Sequence, residues 1–317
     1  MTVSRGLVLG AGGVLGFTWM VAALHSYEQK YGVDARSAEI AVGTSAGAVA
    51  SAMLGRGVSV AAMLRHQRGR PEPGDPMIDW DYDVDSGGAL PPRPGLGLGS
   101  PRLAGQVLRH PRRLPTQAAL TALAPPGRGT FGPMARMVER LTGPAWPQTP
   151  CPWLVAFDYD AGRRVAFGRE GAPTASLPDA VVASCSIPGW YVPVLIGGRR
   201  YIDGGVWSPA SLDLLGDAGL DEVLVLAPMA SFAYDRPRSV VARAERRWRR
   251  ALTRRLLREA GPVRAAGSRV SMFAPGPQDL AQLGANLMDP RRRIAVLETA
   301  LRTTAAAFDQ PRDPVGR

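Results

Sequence analysis

The chain has 317 residues, 45% of them hydrophobic, and its 38 basic against 27 acidic side chains give a formal charge of +11. That size allows one large or two modest domains around a proper core. No apolar run approaches the roughly 18 residues of a membrane-spanning helix, and Cys151 and Cys185, the two cysteines, supply neither a disulfide scaffold nor a metal site.

Met1-Thr2-Val3-Ser4-Arg5 passes almost at once into Gly6-Leu7-Val8-Leu9, a short buried strand. No room is left for a signal peptide, so a cytoplasmic location with buried, reduced thiols is expected. Gly10-Ala11-Gly12-Gly13-Val14-Leu15-Gly16 follows, and then an apolar helix through about Tyr31. A glycine run at a helix N-terminus exposes backbone N–H groups and so forms an anion site. Gly10, Gly12 and Gly16 fit a loosened dinucleotide-binding pattern, but that pattern wants an acidic residue ending the second strand. Here the second strand, Ile40-Ala41-Val42, runs into Gly43-Thr44-Ser45-Ala46-Gly47. An oxyanion-binding loop is therefore preferred, and no nicotinamide cofactor is expected.

Strand, sharp turn and a small-residue helix from Ala46 to Leu54 are the context of a G-x-S-x-G nucleophile elbow. A serine on such a turn has strained backbone angles, and glycines two residues to either side leave room for the neighbouring strand and helix. The helix also aims its positive end at the serine oxygen. A tight turn with a helix-capping serine is the competing reading of this segment alone.

Residues 69 to 102 are rich in proline, glycine and aspartate, with Asp79-Trp80-Asp81-Tyr82-Asp83-Val84-Asp85 as an acidic island. Alternating aspartates invite a cation site, but the glycine and glutamate of an EF-hand loop are missing from their positions. A mobile surface loop is expected there. Helix-like segments follow at Pro101 to Leu108 and Pro133 to Leu141, separated by prolines and glycines. The stretch from about 69 to 142 lies between the elbow and the next strand, and is expected to form a cap over the serine.

Trp153-Leu154-Val155-Ala156-Phe157-Asp158 reads as that strand, with a turn at Gly162-Arg163-Arg164. Gly197-Gly198 between apolar runs signals a hairpin. It precedes Tyr201-Ile202-Asp203-Gly204-Gly205, where an aspartate ends a strand and two glycines make a tight turn. By itself this is also an ordinary surface turn. Pro209 to Leu215 reads as helix, Glu222 to Leu226 and Arg269 to Phe273 as strands, and Pro290 to Ala307 as a closing helix with a frayed tail. Strands alternating with helices imply a three-layer α/β/α sandwich with a mainly parallel central sheet.

Between Arg236 and Arg258 stand ten arginines and one acid, Glu245, with Val240, Val241, Ala244, Trp248, Leu252 and Leu256 at near-helical spacing. A basic amphipathic helix over about 236–260 is expected. It suits docking on anionic lipid headgroups, nucleic acid, or plain packing on the core. No recognition motif accompanies it, so nucleic acid is not expected as a partner.

The three motifs together resemble the patatin-like phospholipase family, which carries a glycine-rich oxyanion loop, a G-x-S-x-G serine and a later Asp-Gly-Gly aspartate in this order. Ala183-Ser184-Cys185-Ser186-Ile187-Pro188-Gly189 with Val192-Pro193-Val194 extends the likeness, as does the strand and hairpin at Trp153 to Arg164. It covers about residues 5 to 210, leaving 211–317 as a C-terminal α/β extension on the same domain. The resemblance implies a lipid acyl hydrolase that cleaves carboxylic esters without metal or cofactor. It makes Ser45 the nucleophile and Asp203 the general base. Gly43, Thr44, Ala46 and Gly47 then shape the elbow, Gly204 and Gly205 the turn after the acid, and Gly10, Ala11, Gly12, Gly13 and Gly16 the oxyanion loop.

Histidine placement agrees with this. A Ser, Asp, His chain order needs a histidine after the acid, whereas His25, His66 and His110 all precede Asp203. A Ser–Asp dyad is what remains. Two positions depart from the family's usual Gly-Gly-Gly-x-Arg/Lys-Gly, since Ala11 replaces a glycine and Leu15 replaces the basic residue. Backbone donors survive both changes, while the missing cation would weaken oxyanion stabilisation or alter selectivity for anionic lipids. A noncatalytic lipid-binding or membrane-docking protein on the same scaffold is the alternative expectation.

Overall fold

A computed structural model describes residues 3–309 apart from 87, 89, 94, 111–113, 143, 144, 234, 236 and 238. Strand β1 (Arg5–Leu9) leads into α1 (Gly13–Tyr31), and β2 (Ile40–Thr44) into α2 (Ala46–Gly55) and α3 (Val60–Gln67). Helices α4 (Pro101–Arg109), α5 (Thr116–Thr121) and α6 (Gly132–Thr142) follow before the hairpin of β3 (Cys151–Asp158) and β4 (Arg163–Phe167). Next come α7 (Leu177–Cys185) and a second hairpin of β5 (Val194–Ile196) and β6 (Arg199–Asp203). The chain closes with β7 (Glu222–Leu226), α8 (Val240–Ala265), β8 (Arg269–Phe273), α9 (Pro277–Leu283) and α10 (Arg293–Asp309).

The strands form one sheet in the order β5-β6-β3-β2-β1-β7-β8, with β4 also paired to β3. Strands β3, β2, β1, β7 and β8 run parallel, whereas β4 and β6 pair antiparallel with β3. Successive residues of a strand face opposite sides, and the core divides accordingly. Leu7, Leu9, Leu154 and Leu226 join the cluster containing α1, α2, α7 and α10. Val8, Val42, Val155 and Val225 meet Leu256, Ala260 and Val263 of α8 on the other face. The result is the three-layer α/β/α arrangement.

Local chemistry sets the element ends. Gly32 closes α1 in the left-handed region at φ 63°, its N–H on the Glu28 carbonyl. Ser59 opens α3 by accepting the Ala62 amide at 3.1 Å. Gly197 and Gly198 are both left-handed, at φ 55° and 74°, as a two-residue hairpin turn demands.

Several expectations are corrected. Pro209 to Leu215 forms only a short 3₁₀ turn at Leu212–Leu215, because the Ser208 hydroxyl and the Glu259 carboxylate take the local amides. Helix α8 begins at Val240 after Ser239, and positions 236 and 238 lie outside the described residues. Its anticipated apolar stripe is split: Leu252 and Leu256 are buried, whereas Val240, Val241 and Trp248 are exposed. Nor do its arginines form one solvated face, since Arg246 and Arg249 turn inward around Glu245. Cys151 is half-buried rather than buried, and both cysteines are free. The frayed tail after 309 lies outside the described residues. No described helix is long and apolar enough to cross a membrane.

The acidic island is also not a detached loop. Ile78, Trp80 and Tyr82 pack against the main core, while Asp79, Asp81 and Asp83 point to solvent. Gln67 donates to the Tyr82 hydroxyl at 2.6 Å, and the Arg293 guanidinium lies 4.4 Å from the Tyr82 ring centroid. Alternation of aspartate and aromatic residues makes this an amphipathic strip with one dry side.

Candidate active site

Ser45 occupies the single residue between β2 and α2, at φ 54° and ψ −120°. That conformation is sparsely populated for a residue with a side chain and persists because its surroundings over-determine it. The flanking glycines are steric necessities. A β-carbon on Gly47 would lie 1.8 Å from the Leu9 carbonyl oxygen, and one on Gly43 would lie 2.5 Å from that of Gly47. Thr44 ends β2 and Ala46 begins α2, so the elbow residues hold helix, strand and turn in contact.

Strand register brings the acid to the serine. Strand β4 pairs with β3 from Leu154 to Asp158 and so occupies one edge of it. Strands β2 and β6 share the other edge, with Thr44 opposite Val155 and Asp203 opposite Ala156. The ends of β2 and β6 therefore abut, and the Ser45 hydroxyl lies close enough to the Asp203 carboxylate to influence its ionisation. Asp203 is only 6% exposed. Burial pushes its carboxyl up to about 6, against the opposing pull of the Ser45 hydroxyl and the Gly205 amide. That amide donates to Asp203 Oδ1 at 2.7 Å. Gly204 must lack a side chain, since a β-carbon there would sit 2.4 Å from the Val155 carbonyl oxygen.

Two residues of α7 complete the junction. The Ser45 N–H donates to Ser184 Oγ at 2.9 Å, and Ser184 Oγ donates to the Val155 carbonyl at 2.6 Å. Beside it the buried Cys185 thiol lines the same cavity as Ser45. Burial, reinforced by the Asp203 carboxylate, holds that thiol well above the usual range, so it stays protonated. The sequence marked the segment containing Ser184 and Cys185 without giving either a role. The bond from Ser184 to Ser45 spans 139 positions, and no local pattern announces it.

The glycine-rich loop divides into structural and available donors. Gly10 donates to Leu226 O at 2.9 Å, Ala11 to Pro209 O at 2.7 Å and Gly16 to Gly12 O at 2.8 Å. Among the described residues the amides of Gly12, Gly13 and Val14 have no acceptor. They stand at the N-terminus of α1, where the helix field is positive. Gly13 is left-handed at φ 59°, and a β-carbon there would meet Met288 Sδ at 2.8 Å. Behind the loop, the Pro228 ring packs so closely that a β-carbon on Gly12 would come within 2.8 Å of it. Leu15, at the departing position, is buried in the core and its amide binds Leu287 O at 3.0 Å.

A cavity of about 70 Å³ joins Ser45 to Gly13 and Val14. The rest of its lining is largely apolar, with Phe17, Met53 and Met288 from the main body and Trp80, Phe131 and Met134 from the 69–142 insertion. No histidine lines it. Burial lowers the pKa of both His25 and His66, and His110 is exposed at the end of α4. Among the described residues no cluster of three His, Cys, Asp or Glu side chains is placed to hold a metal.

A strained serine and the unpaired amides of Gly13 and Val14 thus line one largely apolar cavity, with the buried Asp203 carboxylate outside its lining and next to the serine in the sheet register. A family model described as Patatin-like phospholipase matches residues 7–215. Among solved structures, the chain is similar to VipD from Legionella pneumophila, at 13% identity and a TM-score of 0.45, over 98% of this chain and 67% of that one.

Proposed function

The chain belongs to the patatin-like phospholipase family, and on that footing we propose that it is a lipid acyl hydrolase working through a Ser45–Asp203 dyad. The observation that carries this reading is the sheet register that sets a serine at positive φ beside a carboxylate buried against the same strand edge. Ser45 Oγ attacks the ester carbonyl while Asp203 accepts its proton. A free aspartate, with a pKa of about 3.9, is a feeble base. Burial raises Asp203 to about 6, which makes it a better base that is still largely ionised at neutral pH. The developing oxyanion falls to the amides of Gly12 and Gly13, each donor contributing roughly 3–4 kcal/mol. Asp203 then protonates the leaving alcohol and activates the water that hydrolyses the acyl-enzyme. No cation at position 15 takes part, because Leu15 lies in the core.

The test is covalent labelling with a fluorophosphonate, read by intact mass on wild type, Ser45→Ala and Asp203→Asn. One adduct on wild type, absent from Ser45→Ala and strongly slowed in Asp203→Asn, is the expected result. Folded wild-type protein that takes no label, with or without added membranes, overturns the reading in favour of a noncatalytic lipid-binding protein.

A further inference from the structure

We propose that the outer face of the cap is a docking surface for anionic phospholipid membranes. Leu96 is 98% exposed, Leu120 and Leu123 61% each, Leu98 50% and Val192 48%. Backbone hydrogen bonds set the stretches that carry them side by side. Gly95 N–H donates to Pro126 O at 2.8 Å and Ser100 N–H to Ala122 O at 3.4 Å. On the far side Gly129 N–H donates to Trp190 O, and Val192 N–H to Gly129 O, each at 2.9 Å. Three lengths of chain thus form one raft of exposed leucine and valine. Contiguous apolar surface of this kind marks an interaction site rather than ordinary surface scatter.

Charge identifies the partner. The 69–142 insertion holds nine arginines and seven acids, but its acids, Glu139 apart, all lie before residue 86, away from the stretches that carry the raft. Arg93 and Arg128 flank the raft, are exposed, and form no ion pair among the described residues. Apolar side chains interspersed with unneutralised arginines match the boundary between acyl chains and anionic headgroups. The raft is also continuous with the cavity wall. Phe131, which lines the cavity, stacks on Tyr191 with ring centroids 3.7 Å apart, and Val192 follows on the outer side. Membrane contact at the cap would therefore bring lipid to the layer that covers Ser45. On α8, by contrast, Arg246 and Arg249 are already paired and buried, and only Val240, Val241 and Trp248 remain exposed among its large apolar side chains.

The experiment is vesicle flotation with the full chain carrying Ser45→Ala, so that no lipid is consumed and failure of the hydrolase reading leaves the result intact. Vesicles of phosphatidylcholine alone are compared with vesicles containing one third phosphatidylglycerol. The parent is expected to partition onto the anionic vesicles. Leu96→Asp with Leu123→Asp should weaken partitioning at least about tenfold, and Arg93→Glu or Arg128→Glu by about fivefold each. Thermal melting at the parent's temperature verifies that each variant is folded. A parent that stays off the anionic vesicles overturns the proposal. So do cap variants that bind like the parent while Arg247→Glu, Arg254→Glu and Arg258→Glu on α8 abolish binding.

Discussion

Thr44 and Asp203 pair with successive residues of β3, Val155 and Ala156, along the same edge of that strand. The relative position of serine and carboxylate is thereby a matter of sheet register. Ser184 ties the join together, since its hydroxyl bridges the Ser45 amide and the Val155 carbonyl.

Removing that bridge is the first prediction. Ser184→Ala leaves a buried amide and a buried carbonyl without a partner, a loss of about 1–3 kcal/mol. The serine turn should loosen, lowering kcat about tenfold with little change in KM. Steady-state kinetics on a soluble ester, paired with a thermal melt, separates this from general destabilisation.

Asp203 makes stability and activity run in opposite directions with pH. Its carboxyl is raised to about 6 by burial, against about 3.9 in an unfolded chain. Between those values the native state keeps a proton that the unfolded chain has lost, so stability falls as pH rises from about 4 to about 6 and then levels off. The drop is about 3 kcal/mol. Asp203→Asn should escape it, and urea unfolding at pH 4 and pH 7 would reveal the difference. Wild-type kcat/KM should instead rise through a pH of about 6 as the base ionises.

Glycine at 47 is required by space. The β-carbon of Gly47→Ala would fall 1.8 Å from the Leu9 carbonyl oxygen, and the resulting strain should exceed about 3 kcal/mol. Little folded protein is expected on expression. Gly105, within α4, has nothing within 4 Å of the same atom. Gly105→Ala should therefore strengthen that helix by up to about 1 kcal/mol, measurable as slower amide exchange in α4.

Arg249 is expected to act on the oxyanion loop from behind. Its buried guanidinium pairs with Glu245 and donates to the Pro228 carbonyl, and the Pro228 ring packs on Gly12 and Gly16. Arg249→Met leaves Glu245 to Arg246 alone and strips the Pro228 carbonyl of its donor, and should destabilise by about 1–3 kcal/mol. Arg249→Lys keeps the charge but loses the planar fork. It should melt nearer to wild type while still showing a lowered kcat.

Much of the frame was legible because its signals are local. Leu7, Val8 and Leu9 are bounded by glycines, and Gly197 and Gly198 mark a hairpin by themselves. The elbow was readable for the same reason, its two glycines being dictated by contacts within the motif and with β1. Trp80 and Tyr82 were hidden by the aspartates around them, and Tyr82 is held between Gln67 of α3 and Arg293 of α10, the latter far along the chain. Ser211 was equally opaque: it turns left-handed at φ 57° because Ser208 and Glu259 claim the amides that a helix would need. Ser184 and Cys185 carry no pattern of their own, and only the tertiary fold brings them to Ser45.

The shared edge of β3 has a bearing on how such a molecule can diversify. Ser45, Asp203 and Ser184 exchange no hydrogen bond with the described residues of the 69–142 insertion. That insertion nonetheless supplies much of the cavity wall. On the proposed reading, reaction chemistry and substrate preference would be encoded in separable lengths of gene. A foreign insert spliced between Gln67 and Cys151 would change what enters the cavity and leave Ser45 and Asp203 in register.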